Sequence, residues 1–223
     1  MRSTSLPLLL LPWLFASSVA PAQTKPKAKD VVEVTAREWE HESSDLVVDP
    51  KFNFGSLKNG MRYVWVNNRN PPKQIFLRLH VDIGSLVEDE TELGMAHFVE
   101  HMAFNGTTRF KAGTLVETFN KQGIKFGYDV NAHTSVEETV YELDLPDTEP
   151  ERMKLAFQWM RDVACGLKMD DKEVQSEKGV IDSEERDRDV PGFRLYVEQL
   201  TKLGDGLREA KRLPIGIKAV RQS

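Results

Sequence analysis

The chain has 223 residues, with 30 lysines and arginines against 35 aspartates and glutamates, a net charge of −5, 29% charged and 40% hydrophobic residues. This is the composition of an ordinary soluble globular domain with terminal extras. The basic residues are scattered, with no Lys/Arg run interleaved with aromatics, which excludes a nucleic-acid binder; the lone cysteine, Cys165, excludes an internal disulfide.

In chain order, Arg2, an apolar run from Leu6 to Ala20, and the small residues Ala20-Pro21-Ala22 predict a secretory signal peptide over residues 1–22. Pro7 and Pro12 interrupt the run and it is short for a membrane span. Cleavage is therefore expected, with export to the bacterial periplasm or beyond and no membrane attachment afterwards. Residues 23–48, rich in Lys, Pro and acid, read as a spacer of low order. One domain is expected over residues 49–223.

Two strand-like runs, Phe52–Gly55 and Met61–Val66, flank Lys58-Asn59-Gly60, a hairpin signal. Ile75 to Ile83 alternates Phe76, Arg78, His80 and Asp82 with Ile75, Leu77, Leu79, Val81 and Ile83, predicting a strand with one apolar face. Next comes His97-Phe98-Val99-Glu100-His101. Thr91 is the expected cap, Asn105-Gly106 the expected stop, and Leu93, Phe98 and Met102 the core-facing residues. On a helix, positions i and i+4 lie one turn apart on one side, so both imidazoles can reach one metal ion, with Glu100 close by. This His-x-x-Glu-His order is the known inverzincin pattern.

Ala112–Lys121 is predicted helical and closed by Gly123; Phe126–Thr134 and Thr139–Leu145 are predicted strands joined by Ser135–Glu138. Glu149–Leu167 reads as an amphipathic helix with Met153, Phe157 and Met160 on one face and Cys165 buried at its apolar end. Helices follow from Asp170 to about Arg188 and from Phe193 to Leu203, and Leu213-Pro214-Ile215-Gly216 breaks the pattern. Strands mixed with helices and joined by hairpins predict an α+β fold, a largely antiparallel sheet packed against helices.

A catalytic zinc takes three protein ligands and keeps one open position. The third ligand is sought on the acidic helix Glu177–Glu185, where Glu177 and Glu184 are seven positions apart and share a face. Val180 and Ile181 offer an apolar contact nearby. Periodicity leaves both glutamates open as ligand or supporting acid, and the run Glu184–Arg188 also fits a solvated face with local ion pairs. His41 and His80 have no partner pattern and read as structural or surface residues, while His133 is a tempting extra ligand. A carboxylate-pair glycosidase would leave both motif histidines unexplained.

Residues Gly94–Thr107 resemble the pitrilysin (insulinase-type) zinc peptidases, most of all their exported bacterial PqqL-like branch. Ile83-Gly84-Ser85, Asp129–Ser135, Glu138-Thr139-Val140-Tyr141 and Glu177–Ile181 match as well, so the resemblance covers roughly residues 50 to 217. It implies that His97 and His101 bind one Zn2+ with Glu184 as third ligand, that Glu100 is the general base, and that Glu177 is a supporting acid. It further implies that Asn131 and Ala132 form the strand that binds a peptide or small-protein substrate, with His133 at its rim. From His101 to Glu184 is 83 positions, a few more than is usual in that family, which the loops near 146–151 or 166–171 would absorb. Family members are much longer, and their later half supplies an arginine and a tyrosine with no counterpart here. Two functions are therefore expected: a zinc endopeptidase that works with a missing half or partner subunit, or a zinc- and peptide-binding module without catalysis of its own.

Overall fold

The computed structural model describes residues 38–223. The expected signal peptide and the spacer up to residue 37 lie outside the described residues. The chain forms two compact units, divided between Asn67 and Asn68.

In the first unit, β1 (Phe52–Ser56) pairs antiparallel with β2 (Arg62–Val66), Phe52 lying opposite Val66 and Ser56 opposite Arg62. The connection is longer than a two-residue turn. Gly60 N–H donates to Leu57 O (2.9 Å) and Leu57 N–H to Met61 O (2.7 Å). Only Gly60 takes the left-handed conformation there (φ +85°), so Asn59 keeps an ordinary backbone. The last part of the expected spacer carries structure: Glu40–Ser43 is a short 3-10 turn. Trp39 stands edge-on to Phe54, centroids 4.9 Å apart, with the Arg62 guanidinium 4.5 Å over its ring.

The second unit is α+β. Its three-stranded antiparallel sheet has the order β3 (Ile75–Val81), β5 (Thr139–Leu145), β4 (Val130–Thr134). Leu79, Val130, Tyr141, Leu143 and Leu145 turn to the buried face, as the strand alternation predicts. Helices α2 (Leu115–Lys121) and α3 (Pro150–Cys165) contribute to the core on that face, where Trp159 is fully buried beside Phe104 and Phe119, and α1 (Met95–Met102) puts Phe98 and Met102 into a second, smaller cluster. The outer face is polar: Arg78 pairs with Asp144 (2.6 Å) and His80 with Glu138 (2.6 Å). Helices α4 (Asp171–Arg188), α5 (Pro191–Leu203) and α6 (Lys218–Arg221) complete the unit. Among the described residues no helix is long and apolar enough to cross a membrane.

Four side chains depart from the sequence expectation, the first being Ile83, which lies past the end of β3 and is exposed. The buried stripe of α3 is Ala156, Trp159, Met160 and Val163, flanked by Met153, and Phe157 lies off it, 55% exposed. Cys165 is exposed rather than buried, its thiol turned back to Arg161 O (3.3 Å), because the last residue of α3 falls on the solvent side of that stripe. On α4, Ile181 is fully buried while Val180 faces solvent.

Candidate metal centre

Helix α1 has only eight residues, too short to persist by its own backbone bonds. Phe98 and Met102 hold it against Ile181 of α4 and against Ile215. The expected Thr91 cap is not used. The N-cap is Gly94, in the left-handed conformation (φ +96°). The carboxylate of buried Glu88 takes the capping role, accepting the N–H of Gly94 and of Ala96, each at 2.8 Å. A carboxylate on two free amides at a helix start satisfies orphan donors and complements the helix dipole. The cap was missed because it reaches across a loop, outside the local capping pattern.

His97 and His101 stand one turn apart, ring centroids 4.5 Å from each other, with their Nε2 atoms 3.2 Å apart. Glu184 of α4 brings Oε2 to 3.6 Å from His97 Nε2 and 3.2 Å from His101 Nε2. Its other oxygen pairs with Arg188, one turn on. Glu184 Oε2 and His97 Nδ1 are buried without a hydrogen-bond partner among the described residues. At zinc–ligand bonds of ~2.0–2.1 Å, two corners of a tetrahedron lie about 3.3–3.4 Å apart. The three donors are thus spaced as one such ion requires, and Glu184 Oε2, which makes no well-aligned hydrogen bond, faces both imidazole Nε2 atoms at ligand spacing.

Glu177 stands one step behind. Its Oε1 accepts a hydrogen bond from His101 Nδ1 (2.7 Å) and its Oε2 one from the Asn105 side-chain amide (2.6 Å). Oε1 therefore serves the far side of the imidazole, Oε2 is taken up by Asn105, and Glu184 is the carboxylate brought to the Nε2 atoms. Asn105, read from sequence only as a helix stop, is a second residue missed; its reach to Glu177 crosses 72 positions of sequence.

The charges follow from this packing. Burial, then the neighbouring His101, lowers the His97 pKa to about 4, so His97 is neutral at pH 7. Burial also works to lower His101, but hydrogen bonds and charges from Glu177 and Glu184 outweigh it and raise that pKa to about 9. The Glu184 carboxyl is held below its ordinary range, chiefly by its bond to His101.

Glu100 is buried, and Thr134 Oγ1 of β4 donates to its Oε2 at 2.6 Å. Burial raises the Glu100 pKa, with the Thr134 bond opposing. Thr134, the third residue that sequence reasoning missed, had one available signal: it is two residues from Ala132 and so shares its face of the strand.

Asn131 and Ala132 lie on β4, at the sheet edge. Bonds Ser135 N–H to Glu138 O and Asp144 N–H to Asp129 O fix the alternation of the β4–β5 ladder. Asn131 and His133 therefore bond toward β5, while the backbone groups of Ala132 and Thr134 point to the free edge. Asn131 Oδ1 covers the Ala132 N–H (3.0 Å). His133 faces the exposed side, 3.5 Å from Glu142.

A short helix bearing His-x-x-Glu-His, set against an acidic helix and an antiparallel sheet, defines a domain of the metallopeptidase class. The chain belongs to the Insulinase (Peptidase family M16) family, which matches residues 63–191. A protein of Escherichia coli K12 described as “Probable zinc protease PqqL” is 38% identical over 77% of the chain, and an Arabidopsis thaliana “Zinc protease PQQL-like” is 33% identical over 77%. The crystal structure of the first half of the periplasmic protease PqqL from Escherichia coli superposes with a TM-score of 0.77 at 36% identity, covering 80% of this chain and 38% of that one. The chain spans about a fifth of the length of these two curated relatives, 18% of each.

Proposed function

We propose that this chain is the catalytic-site domain of an exported zinc endopeptidase, with one Zn2+ held by His97, His101 and Glu184 and with Glu100 as general base. The observation that carries this reading is the mutual 3.2–3.6 Å spacing of three donors from two helices around an orphaned Glu184 oxygen. Zinc, when bound there, supplies a Lewis acid that acidifies water and polarises the scissile carbonyl. His97 offers a neutral imidazole. Glu177 holds the proton of His101 on Nδ1 and leaves Nε2 as donor. Glu100, with its proton affinity raised by burial and its carboxylate oriented by Thr134, takes the proton of the attacking water and delivers it to the leaving amine.

The substrate is an extended peptide that adds to the free edge of β4 by backbone hydrogen bonds to Ala132 and Thr134. Asn131 Oδ1 gives up the Ala132 N–H as the peptide carbonyl arrives. This seats the peptide beside Thr134, whose hydroxyl already touches Glu100. His133 lies at the rim and takes no part in the metal site.

Export rests on the signal-peptide pattern of residues 1–22 and on similarity to a periplasmic protease. Further polypeptide, either the rest of a longer chain or a partner subunit, completes the active enzyme. The exposed apolar side chains Leu195, Tyr196 and Leu203 of α5 support this need. The same observation, with the fraction of the relatives spanned, favours a second reading: a zinc- and peptide-binding module without catalysis of its own.

Peptide cleavage measured with and without a chelator separates the two readings. Chelator-sensitive cleavage by the chain together with the polypeptide that completes it identifies the peptidase; bound zinc with no such cleavage even in that assembly identifies the module. Glu177→Gln weakens zinc binding by about 10–100-fold, because the partner of a metal-bound imidazole orients it and raises its basicity. Competition against a chromophoric chelator measures this, and unchanged affinity would remove Glu177 from the site.

A further inference from the structure

Two arginines outside the metal site are almost completely buried, and each is tied to a different one of the metal-bearing helices. Arg212 has a side chain only 5% exposed, and Arg221 one that is 0% exposed. Arg212 donates to Glu88 O (3.0 Å) and to Glu90 Oε1 (2.8 Å), and its own carbonyl accepts the Ser85 hydroxyl (2.5 Å). Glu88 in turn caps α1 at Gly94 and Ala96, one residue before His97. Arg221 pairs with Asp182 (3.1 Å) and with Glu185, which flank Glu184 on α4, and donates to Ile215 O (2.7 Å).

Between these two clamps the chain is wedged against α1. Ile215 packs with Phe98, Met102 and Ile181. Gly216 and Gly94 meet backbone to backbone: a Cβ built on Gly216 would lie 2.3 Å from Leu93 O, and one on Gly94 would lie 2.9 Å from Gly216 Cα. Only glycine fits at either position.

We propose that residues 204–221 form a brace that sets the spacing between α1 and α4, with Arg212 and Arg221 as positioning residues of the metal site. This rests on the reading of His97, His101 and Glu184 as one metal site. A zinc site tolerates errors of only about 0.2 Å in its bond lengths. Its histidines come from an eight-residue helix, and its carboxylate from another element. Direct apolar packing between the two helices is narrow, Phe98 and Met102 meeting Ile181 with partly buried Val174 beside it. Buried guanidinium groups with several acceptors each are rigid ties, and Lys cannot reproduce their fork. The brace therefore carries the registration that side-chain packing alone leaves loose.

The test uses the full chain with Zn2+ and Co2+ as the only probes. Arg212→Lys, Arg221→Lys and the double variant are compared with the unsubstituted chain. Zinc affinity is read by chelator competition, ligand geometry by the visible absorption of bound Co2+, and folding by circular dichroism. Each single variant is expected to lose about 10–100-fold in zinc affinity, the range for a residue supporting a ligand, and to shift the Co2+ spectrum. The double variant is expected to be little worse than either single one, because releasing either end frees the whole brace.

Folded variants with unchanged affinity and spectrum overturn the proposal, as does a double variant whose loss is the product of the single losses. If the lysine variants do not fold, Glu90→Gln and Glu185→Gln loosen the same two clamps from their solvent-exposed partners, and the same readouts decide. An unsubstituted chain that takes up neither ion overturns the metal reading and the brace with it. One that binds both ions while the variants behave identically overturns the brace alone.

Discussion

Replacing Glu100 with glutamine lowers peptide-bond hydrolysis by about 10²–10⁴-fold, the usual contribution of a positioned general base, while zinc is still bound. Glutamine keeps the volume of the side chain and can still accept the Thr134 hydroxyl, so the pocket is preserved. What it loses is the ability to hold a proton between water and the leaving amine. The effect is expected on kcat, because the role proposed for Glu100 is on the proton in flight rather than on the bound peptide. The measurement is steady-state cleavage of a fluorogenic peptide by a preparation that cleaves it before substitution, with zinc content determined in parallel. Retained turnover would remove Glu100 from the mechanism; lost zinc would make it a determinant of the metal site instead.

Replacing His97 with alanine costs more than about 100-fold in zinc affinity, since removing a direct donor exceeds the 10–100-fold cost of removing a supporting partner. Two donors, His101 Nε2 and Glu184 Oε2, then remain of the three brought together. His133→Ala, on the outer face of the sheet, leaves the affinity unchanged and serves as the control. The same titration carries a pH signature. The His101 proton, held to a pKa of about 9 in the metal-free protein, must leave before Nε2 and the supporting carboxylate can serve an ion. Affinity therefore rises close to tenfold per pH unit through neutrality and levels off above about 9. Competition titrations between pH 6 and 8 read this slope, and a flat response would contradict the His101–Glu177–Glu184 charge arrangement.

Local sequence patterns carried much of the fold. β5 (Thr139–Leu145) has the predicted bounds, and β3 the predicted faces as far as Val81, because a seven-residue strand with clean alternation leaves one register that buries Leu79 and partly buries Leu77. The α4 limits agree to within a residue of those expected from its acidic start and from Pro191 beyond its end. Side-chain placement near the edge of a stripe was less legible. Phe157, Val180 and Cys165 sit within a residue or two of buried positions, and hydrophobicity alone does not tell which side of a helix a neighbour covers.

The metal motif shows the same division. His97, Glu100 and His101 lie within one helical turn, so their juxtaposition follows from backbone geometry, and sequence alone determined it. The α+β class followed from the periods of the elements in the same way. Periodicity left open whether Glu177 or Glu184 meets the Nε2 atoms and the resemblance implied Glu184; the contact itself depends on how α4 lies across α1, and the tertiary structure brings Glu184 there and Glu177 behind His101. The partners of Glu88, Asn105, Arg212 and Arg221 were likewise invisible beforehand, and Thr134 showed only that it shares a strand face with Ala132. Each acts on a group whose neighbourhood exists only after loops close, and the energy of such contacts depends on burial and angle rather than on any spacing along the chain.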